Sequence, residues 1–372
     1  MHANRILVSA LLAAGLAGPV MGALTLGDGS ELFLTGTVGF QYDDNIFLRT
    51  NSVKSDYITT FTPGLEVQFG QNSLAKGSFI YNEAFAKYSS HSSQDSNLAS
   101  VAFNTAYDDG KTKGTFSASY NQVAQNNVDV RAFGILVRRN LTDVKGRGEW
   151  SLSDKSSLAA GAAYDRTDYK TAGFVTSDQY SLPVDFYYEM MPKIDLSLGY
   201  RYRNTNQAHS LPSFTDNFLG VGARGEFTEK FSGEFHVGYT QRNIGSGGGN
   251  KSLPAVDSRF TWQFSPKTSV QLGVSNDFGN SATGISQKIF SFTSGVQTQF
   301  DEGLSGSVSV SYRDLNYATG ERDHYWETTL GVQEQYNKYL SFQAGYTYRN
   351  NSTNVLADFT DNVFSISGTV RY

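Results

Sequence analysis

Hydrophobic and polar residues alternate one for one along most of this chain. The last stretch shows it most cleanly. Phe364, Ile366, Val370 and Tyr372 share one parity with Gly368, while Ser365, Ser367, Thr369 and Arg371 share the other. A period of two is that of a β-strand with one apolar and one polar face. The pattern recurs from Glu31 onward. Leu32, Leu34, Gly36, Val38, Phe40 and Tyr42 fall on one face, and Tyr57, Thr59, Phe61, Pro63, Leu65, Val67 and Phe69 on one face of the next run. Further runs follow at 180–190, 194–202, 219–227, 231–239, 260–264, 270–274, 308–312 and 340–348. Aromatics concentrate near the ends of these rows, where membrane-interface girdles sit.

Connections between the runs alternate in length. Short ones such as Asp108-Asp109-Gly110, Met191-Pro192-Lys193 and Asp301-Glu302-Gly303 carry tight-turn residues. Long ones lie near 43–55, 90–96, 125–139, 169–177, 203–214, 243–252, 279–287, 315–322 and 350–358. Short turns on one side and long loops on the other are the signature of an up-and-down transmembrane barrel. The spacing predicts an all-β, antiparallel transmembrane β-barrel of about 18 strands, with 16 as the alternative if a hairpin is lost where parity breaks, between Gln122 and Asn140. An even count places both termini on the periplasmic side. A hairpin-level repeat supports regular architecture: Tyr200-Arg201-Tyr202-Arg203-Asn204 leading to Phe214-Thr215-Asp216-Asn217 is echoed by Tyr346-Thr347-Tyr348-Arg349-Asn350 leading to Phe359-Thr360-Asp361-Asn362.

The N-terminal segment breaks the alternation. Arg5 precedes an apolar run from Ile6 to Ala17, and Val20-Met21-Gly22-Ala23 offers cleavage after Gly22 or Ala23. That is a secretory signal peptide, too short to span a bilayer as a helix. The expected division is 1–22 signal peptide and 23–372 outer-membrane β-barrel.

Composition changes the picture in three ways. A mean hydropathy of −0.36, with 14% aromatic and 17% charged residues, excludes a helical membrane protein but not a barrel whose faces average out. The absence of Cys removes disulfides and thiolate metal sites. A net charge of −5 argues against nucleic acid as a partner. An outer-membrane barrel is expected to have outer-membrane lipid and lipopolysaccharide as partners.

The polar parity carries the candidate chemistry. If the apolar face meets lipid, Arg147, Glu149, Asp185, Arg201, Arg203, Arg224, Glu234, Arg259, Arg313 and Glu327 line the interior. A wall this polar requires water, because each unpaired group in a dry medium costs several kcal/mol. About 18 strands also enclose more space than side chains fill. Opposite charges on neighbouring strands also read as pairs that stiffen the wall. The segment from Gln122 to Asn140 mixes Arg131, Arg138 and Arg139 with Phe133, Ile135 and Val137, and is the candidate constriction; a strand pair standing above the membrane is the other reading.

The terminal strand, with Phe364 and Tyr372 on its apolar face, resembles the closing strand of bacterial outer-membrane barrels, whose C-terminal aromatic is read by the assembly machinery. Tyr42-Asp43-Asp44-Asn45-Ile46-Phe47 resembles the opening signature of the family named putative β-barrel porin 2, and the Thr-Asp-Asn pieces at 215–217 and 360–362 are in its style. Members of that family often accompany exopolysaccharide synthesis and export clusters in Gram-negative bacteria. The barrel-assembly machinery and polysaccharide are partners that these resemblances of the closing and opening strands imply. The resemblance implies an outer-membrane barrel and, with the polar interior, a water-filled pore for polar solutes, carbohydrate or exopolysaccharide among them. The alternative is a structural or surface-interaction barrel. Asp43, Asp44 and Asn45 read as turn-capping residues, with a surface divalent cation as the other reading. The five His show no triad or ligand spacing, so neither catalysis, a cofactor nor a metal site is expected.

Overall fold

The computed structural model describes residues 24–27, 29–130, 134–245, 247–355 and 358–372. The signal peptide read over 1–22 lies outside the described residues. A short strand β1 (Leu24–Gly27) precedes eighteen long ones. These are β2 (Ser30–Asp43), β3 (Asp56–Phe69), β4 (Ala75–Tyr88), β5 (Ser96–Asp108), β6 (Thr112–Ala124), β7 (Arg138–Ser153), β8 (Ser156–Tyr169), β9 (Ser177–Met191) and β10 (Ile194–Gln207). Then come β11 (Phe214–Thr228), β12 (Phe231–Ile244), β13 (Gly249–Ser265), β14 (Thr268–Asn280), β15 (Ser286–Gln299), β16 (Leu304–Tyr317), β17 (Arg322–Gln335), β18 (Leu340–Thr353) and β19 (Phe359–Arg371).

Each long strand pairs antiparallel with its sequence neighbour, and β19 returns to pair with β2, which closes the sheet into an eighteen-stranded barrel. Closure satisfies every ladder and leaves no edge in lipid. The seam runs from Val363↔Asp43 to Arg371↔Thr35, and Tyr372 then exchanges backbone hydrogen bonds of 2.9 and 2.7 Å with Leu34. Where β19 ends, β1 takes over, pairing Leu24 with Leu32.

The alternation sets the two faces. Leu34, Val38, Phe40, Leu198, Leu219, Val221, Val308, Phe364 and Ile366 stand exposed on the outer wall, as a lipid-facing band must. Aromatic pairs mark its two rims. Tyr42–Tyr57, Tyr164–Tyr180, Tyr312–Trp326 and Tyr346–Phe364 lie towards the long loops; Phe69–Phe103, Phe231–Phe260 and Tyr339–Tyr372 lie at the end bearing the short turns. That short-turn end also holds β1 and Tyr372.

The internal repeat is physical. On β10–β11, Tyr200 donates to Asn217 outside and Arg203 to Asp216 inside. On β18–β19, Tyr346 donates to Asn362 outside and Arg349 to Asp361 inside. At the second copy the seam adds more: Asn362 gives its backbone N–H (2.7 Å) and Nδ2 (2.6 Å) to the Asp44 carboxylate, and Asn45 gives Nδ2 to the Thr360 carbonyl at 2.8 Å.

Candidate pore lumen and its outer closure

The inward parity builds two unlike walls. From β16 through the seam to β3 the middle of the wall is small and uncharged: Ser307, Ser309, Thr329, Gly331, Gly345, Thr347, Ser365, Ser367, Gly39, Thr60 and Thr62. Short hydroxyl side chains leave room for water and offer it partners. From β7 to β14 the wall carries charge, and nearly all of it is paired.

Arg224 on β11 forms a bidentate pair with Glu149 on β7, four strands away, at 2.5 and 2.8 Å, and also donates to Asp195 at 3.0 Å. Its guanidinium lies 3.4 Å from the ring centroid of Tyr187. Arg147 donates to Asp185 at 2.8 Å and to the Tyr187 hydroxyl at 2.9 Å. Nearer the outer end, Arg201 and Arg203 share Asp277 at 2.5 and 2.9 Å. Asp216, 1% exposed, is held by Arg203 and by Arg242, which lies between the rings of Phe214 and Phe278. Neither sequence periodicity nor spacing identifies Arg242 as the centre of this buried network. Phe278 reaches it from beyond the end of the β13–β14 ladder at Val256↔Asn276, where β14 pairs with β15 alone.

The remaining interior candidates are spread around the ring. Arg259 is the most open, 3.9 Å from Glu234. Glu327 accepts from Arg349 at 3.2 Å and from the Tyr325 hydroxyl at 2.6 Å. Arg313 is nearly buried beside Tyr325.

The outer end of the lumen is closed by loops that fold inward. The 125–137 loop leaves β6 and returns to β7, yet Val128 packs against Leu315 on β16, Tyr325 on β17 and Phe359 on β19, with Leu48 of loop 44–55 completing the cluster. β16 lies nine strands from β7 in a ring of eighteen, so this loop crosses the full width of the barrel. Burying Val128 and its neighbours contributes about 1.5–3 kcal/mol per side chain. An Asx turn at Asn127 shapes the tip, and Asp129 there accepts from Tyr317 Oη at 3.1 Å. At the root, buried Asn126 donates to the Ile135 carbonyl and accepts from the Val137 amide. Gln94 receives the Leu136 N–H at 2.9 Å. Beside it, Lys87 and the Tyr88 amide hold the Asp95 carboxyl below the usual carboxylate range.

Two more apolar clusters complete the closure. Ile46, Phe47, Ile58 and Leu136 form one; Val130, Val137, Tyr169 and Ala282 form the other, with Phe174 against it. The Val175 amide donates to the Ala282 carbonyl at 2.8 Å, joining loops 170–176 and 281–285. Of the three arginines read as constriction candidates, Arg131 lies outside the described residues. Arg138 opens β7 on the exposed face and donates to the Asp95 carbonyl. Arg139 is buried and braces the loop through the Gln125 carbonyl at 2.7 Å. Among the described residues of this loop, apolar side chains rather than arginines span the lumen.

The acidic opening signature acts as a cap and seam. Asp43 accepts the Asn45 amide at 2.9 Å, and both Asp44 oxygens accept from Asn362. The carboxylates of Asp43, Asp44 and Asp361 converge within 4.8 Å.

These features define the class: a closed, eighteen-stranded barrel of the outer-membrane porin type. The model of the family described as Putative beta-barrel porin 2 matches residues 218–372, from within β11 to the end, so the resemblance seen in the sequence holds over that stretch. No curated protein matches the chain in sequence. Among solved structures it is similar in fold to Pseudomonas aeruginosa OccK2 (OpdF) in complex with glucuronate, with a TM-score of 0.51 and 10% identity over 94% of this chain and 100% of that one. Acinetobacter baumannii OccAB4 shows a TM-score of 0.49 and 13% identity over 93% and 99%. At such identities the likeness to OccK2 is one of fold.

Proposed function

We propose that this barrel is a restricted, water-filled outer-membrane pore for small polar solutes of the carbohydrate class. The observation that carries it is the interior: a hydroxyl-lined wall from β16 to β3 facing a charged wall from β7 to β14, crossed at the outer end by loop 125–137. Hydroxyl and charged groups at this density require water or polar solute. The crossing loop supports small solutes over a growing exopolysaccharide, whose passage would require the loop to leave the lumen. The glucuronate bound by OccK2, a protein of like fold, is consistent with a sugar solute.

The same reading includes a signal peptide over 1–22 and a mature barrel over 23–372. It sets both termini and the short turns in the periplasm, and the long loops in contact with lipopolysaccharide. Phe364 and Tyr372 serve recognition by the assembly machinery.

The three apolar clusters favour one other reading, a structural barrel sealed at its outer end. Planar-bilayer recording of the purified barrel separates the two. The pore reading expects discrete conductance steps in the intact protein that rise when residues 126–136 are deleted. No current from either protein contradicts it and leaves the structural barrel.

A further inference from the structure

Inside the barrel, beneath the outer closure, lies a cavity of about 290 Å³. Tyr169, Val175 and Ser281 close its outer end, and Val130 and Val137 of the crossing loop pack behind Tyr169. Its size is near the lower limit of ligand pockets, roughly 300–1,000 Å³, which suits one sugar-sized solute.

The cavity holds a cation with unused donors. Arg313 lines it with a side chain 7% exposed. Its Nε and Nη2 are buried without a hydrogen-bond partner on the protein. The nearest carboxylate, on Asp129, is 3.7 Å from Nη1, beyond hydrogen-bond range. The guanidinium rests against the Tyr325 ring at 4.7 Å from its centroid, so what remains available is its N–H edge. Arginine stays charged, and leaving its donors unpaired in a buried place is costly. Native structures supply such donors with ordered water or a ligand. By contrast Arg201 and Arg203, which line the same cavity, are already engaged by Asp277.

Two further buried polar atoms on the cavity lining lack a protein partner: the Tyr169 hydroxyl and His236 Nε2. Asp257 and the ring of Phe218 also line it. A guanidinium edge matches a carboxylate in bidentate geometry. The tyrosine, imidazole and carboxylate groups match hydroxyls, and an aromatic ring accepts the apolar face of a pyranose.

We propose that this cavity binds a small polyhydroxylated carboxylate, a sugar acid of monosaccharide size, with Arg313 taking the carboxylate. The ligand's carboxylate takes the place beside Arg313 that Asp129 approaches without reaching. The site rests on the pore reading only for the route by which solute arrives.

The test is calorimetric titration of the whole barrel in detergent, with galacturonate and its neutral counterpart galactose as probes. Saturable galacturonate binding is expected, with galactose about tenfold weaker or worse, equivalent to about 1.4 kcal/mol. Arg313→Gln should lose galacturonate binding by about tenfold or more, with folding checked by heat-modifiable mobility. Asp129→Asn, which removes the neighbouring anion, should bind galacturonate more tightly; this arm stands even if Arg313→Gln fails to fold. Equal binding of the two sugars, or galacturonate affinity unchanged in Asp129→Asn, overturns the proposal. A barrel that binds but carries no current contradicts the pore reading and not this site, while one that conducts without binding contradicts the site alone.

Discussion

Asp129, on a loop rooted between β6 and β7, lies 3.7 Å from the Arg313 guanidinium on β16, at the opposite wall of the barrel. The pair shows how far the loop reaches, but a gap of that length contributes little energy. Val128 beside it holds the loop, since it is 2% exposed among Leu315, Tyr325 and Phe359.

Val128→Ser should therefore loosen the closure. Losing this packing costs about 1–2 kcal/mol, enough to populate an unlatched loop. The barrel should assemble to the normal level while its single-channel conductance rises. Unchanged conductance would mean that the cluster does not control the opening.

The seam offers a comparison within one molecule. Asn217 and Asn362 occupy equivalent places in the repeat, each accepting from a tyrosine, but only Asn362 also donates twice to Asp44 across β2–β19. Asn362→Ala should lower the temperature at which the folded band is lost by more than Asn217→Ala does. The difference corresponds to about 1–3 kcal/mol for the Asp44 oxygen that loses the Nδ2 donor, while the backbone N–H bond to the other oxygen remains. Equal shifts would show that closure does not depend on this contact.

Asp216 is the shared counter-ion of two arginines, one of them, Arg242, fully buried. Asp216→Ala leaves Arg203 with Asp277 but strips buried Arg242 of its carboxylate partner, at a cost of about 3–5 kcal/mol. Little or no heat-modifiable barrel is the expected outcome, whereas Asp257→Ala should assemble normally.

Selectivity should follow the open charges and not the paired ones. Arg259 is the most exposed of the inward arginines, so Arg259→Glu should move ion preference towards cations with the fold intact. Arg224→Glu would instead place a third carboxylate beside Glu149 and Asp195 and should reduce assembly. On the outer face, Val221→Arg should cost roughly 2–4 kcal/mol near the bilayer midplane. If Arg259→Glu leaves reversal potentials unchanged, ions do not pass that wall.

The two faces were legible in the sequence because strand alternation is local: Val221 and Arg224 declare opposite sides from parity alone. The inward loop was legible in position but not in chemistry. Parity breaks at Gln122–Asn140, yet the arginines drew attention there while Val128, Val130, Leu136 and Val137 do the packing. Apolar residues in a loop predicted to be long, including Ile46, Phe47 and Leu48, were the available signal. The Arg224–Glu149 pair could not be read, since it joins strands four apart and depends on the barrel's cross-section. Arg242 escaped notice for a similar reason, because its partners come from β11 and from the part of β14 beyond its ladder with β13.

The central claim is that loop 125–137 spans the lumen and limits passage through it. The chain contains no Cys, so Val128→Cys combined with Leu315→Cys places one reactive pair across the barrel. Single-channel recording of this variant after linking by a short bismaleimide is the most direct test. The account predicts near-complete linking in the folded barrel, with the linked protein held at the small wild-type conductance and the 126–136 deletion conducting several-fold more. Failure of the pair to link, or equal current through linked and loop-deleted barrels, would contradict it.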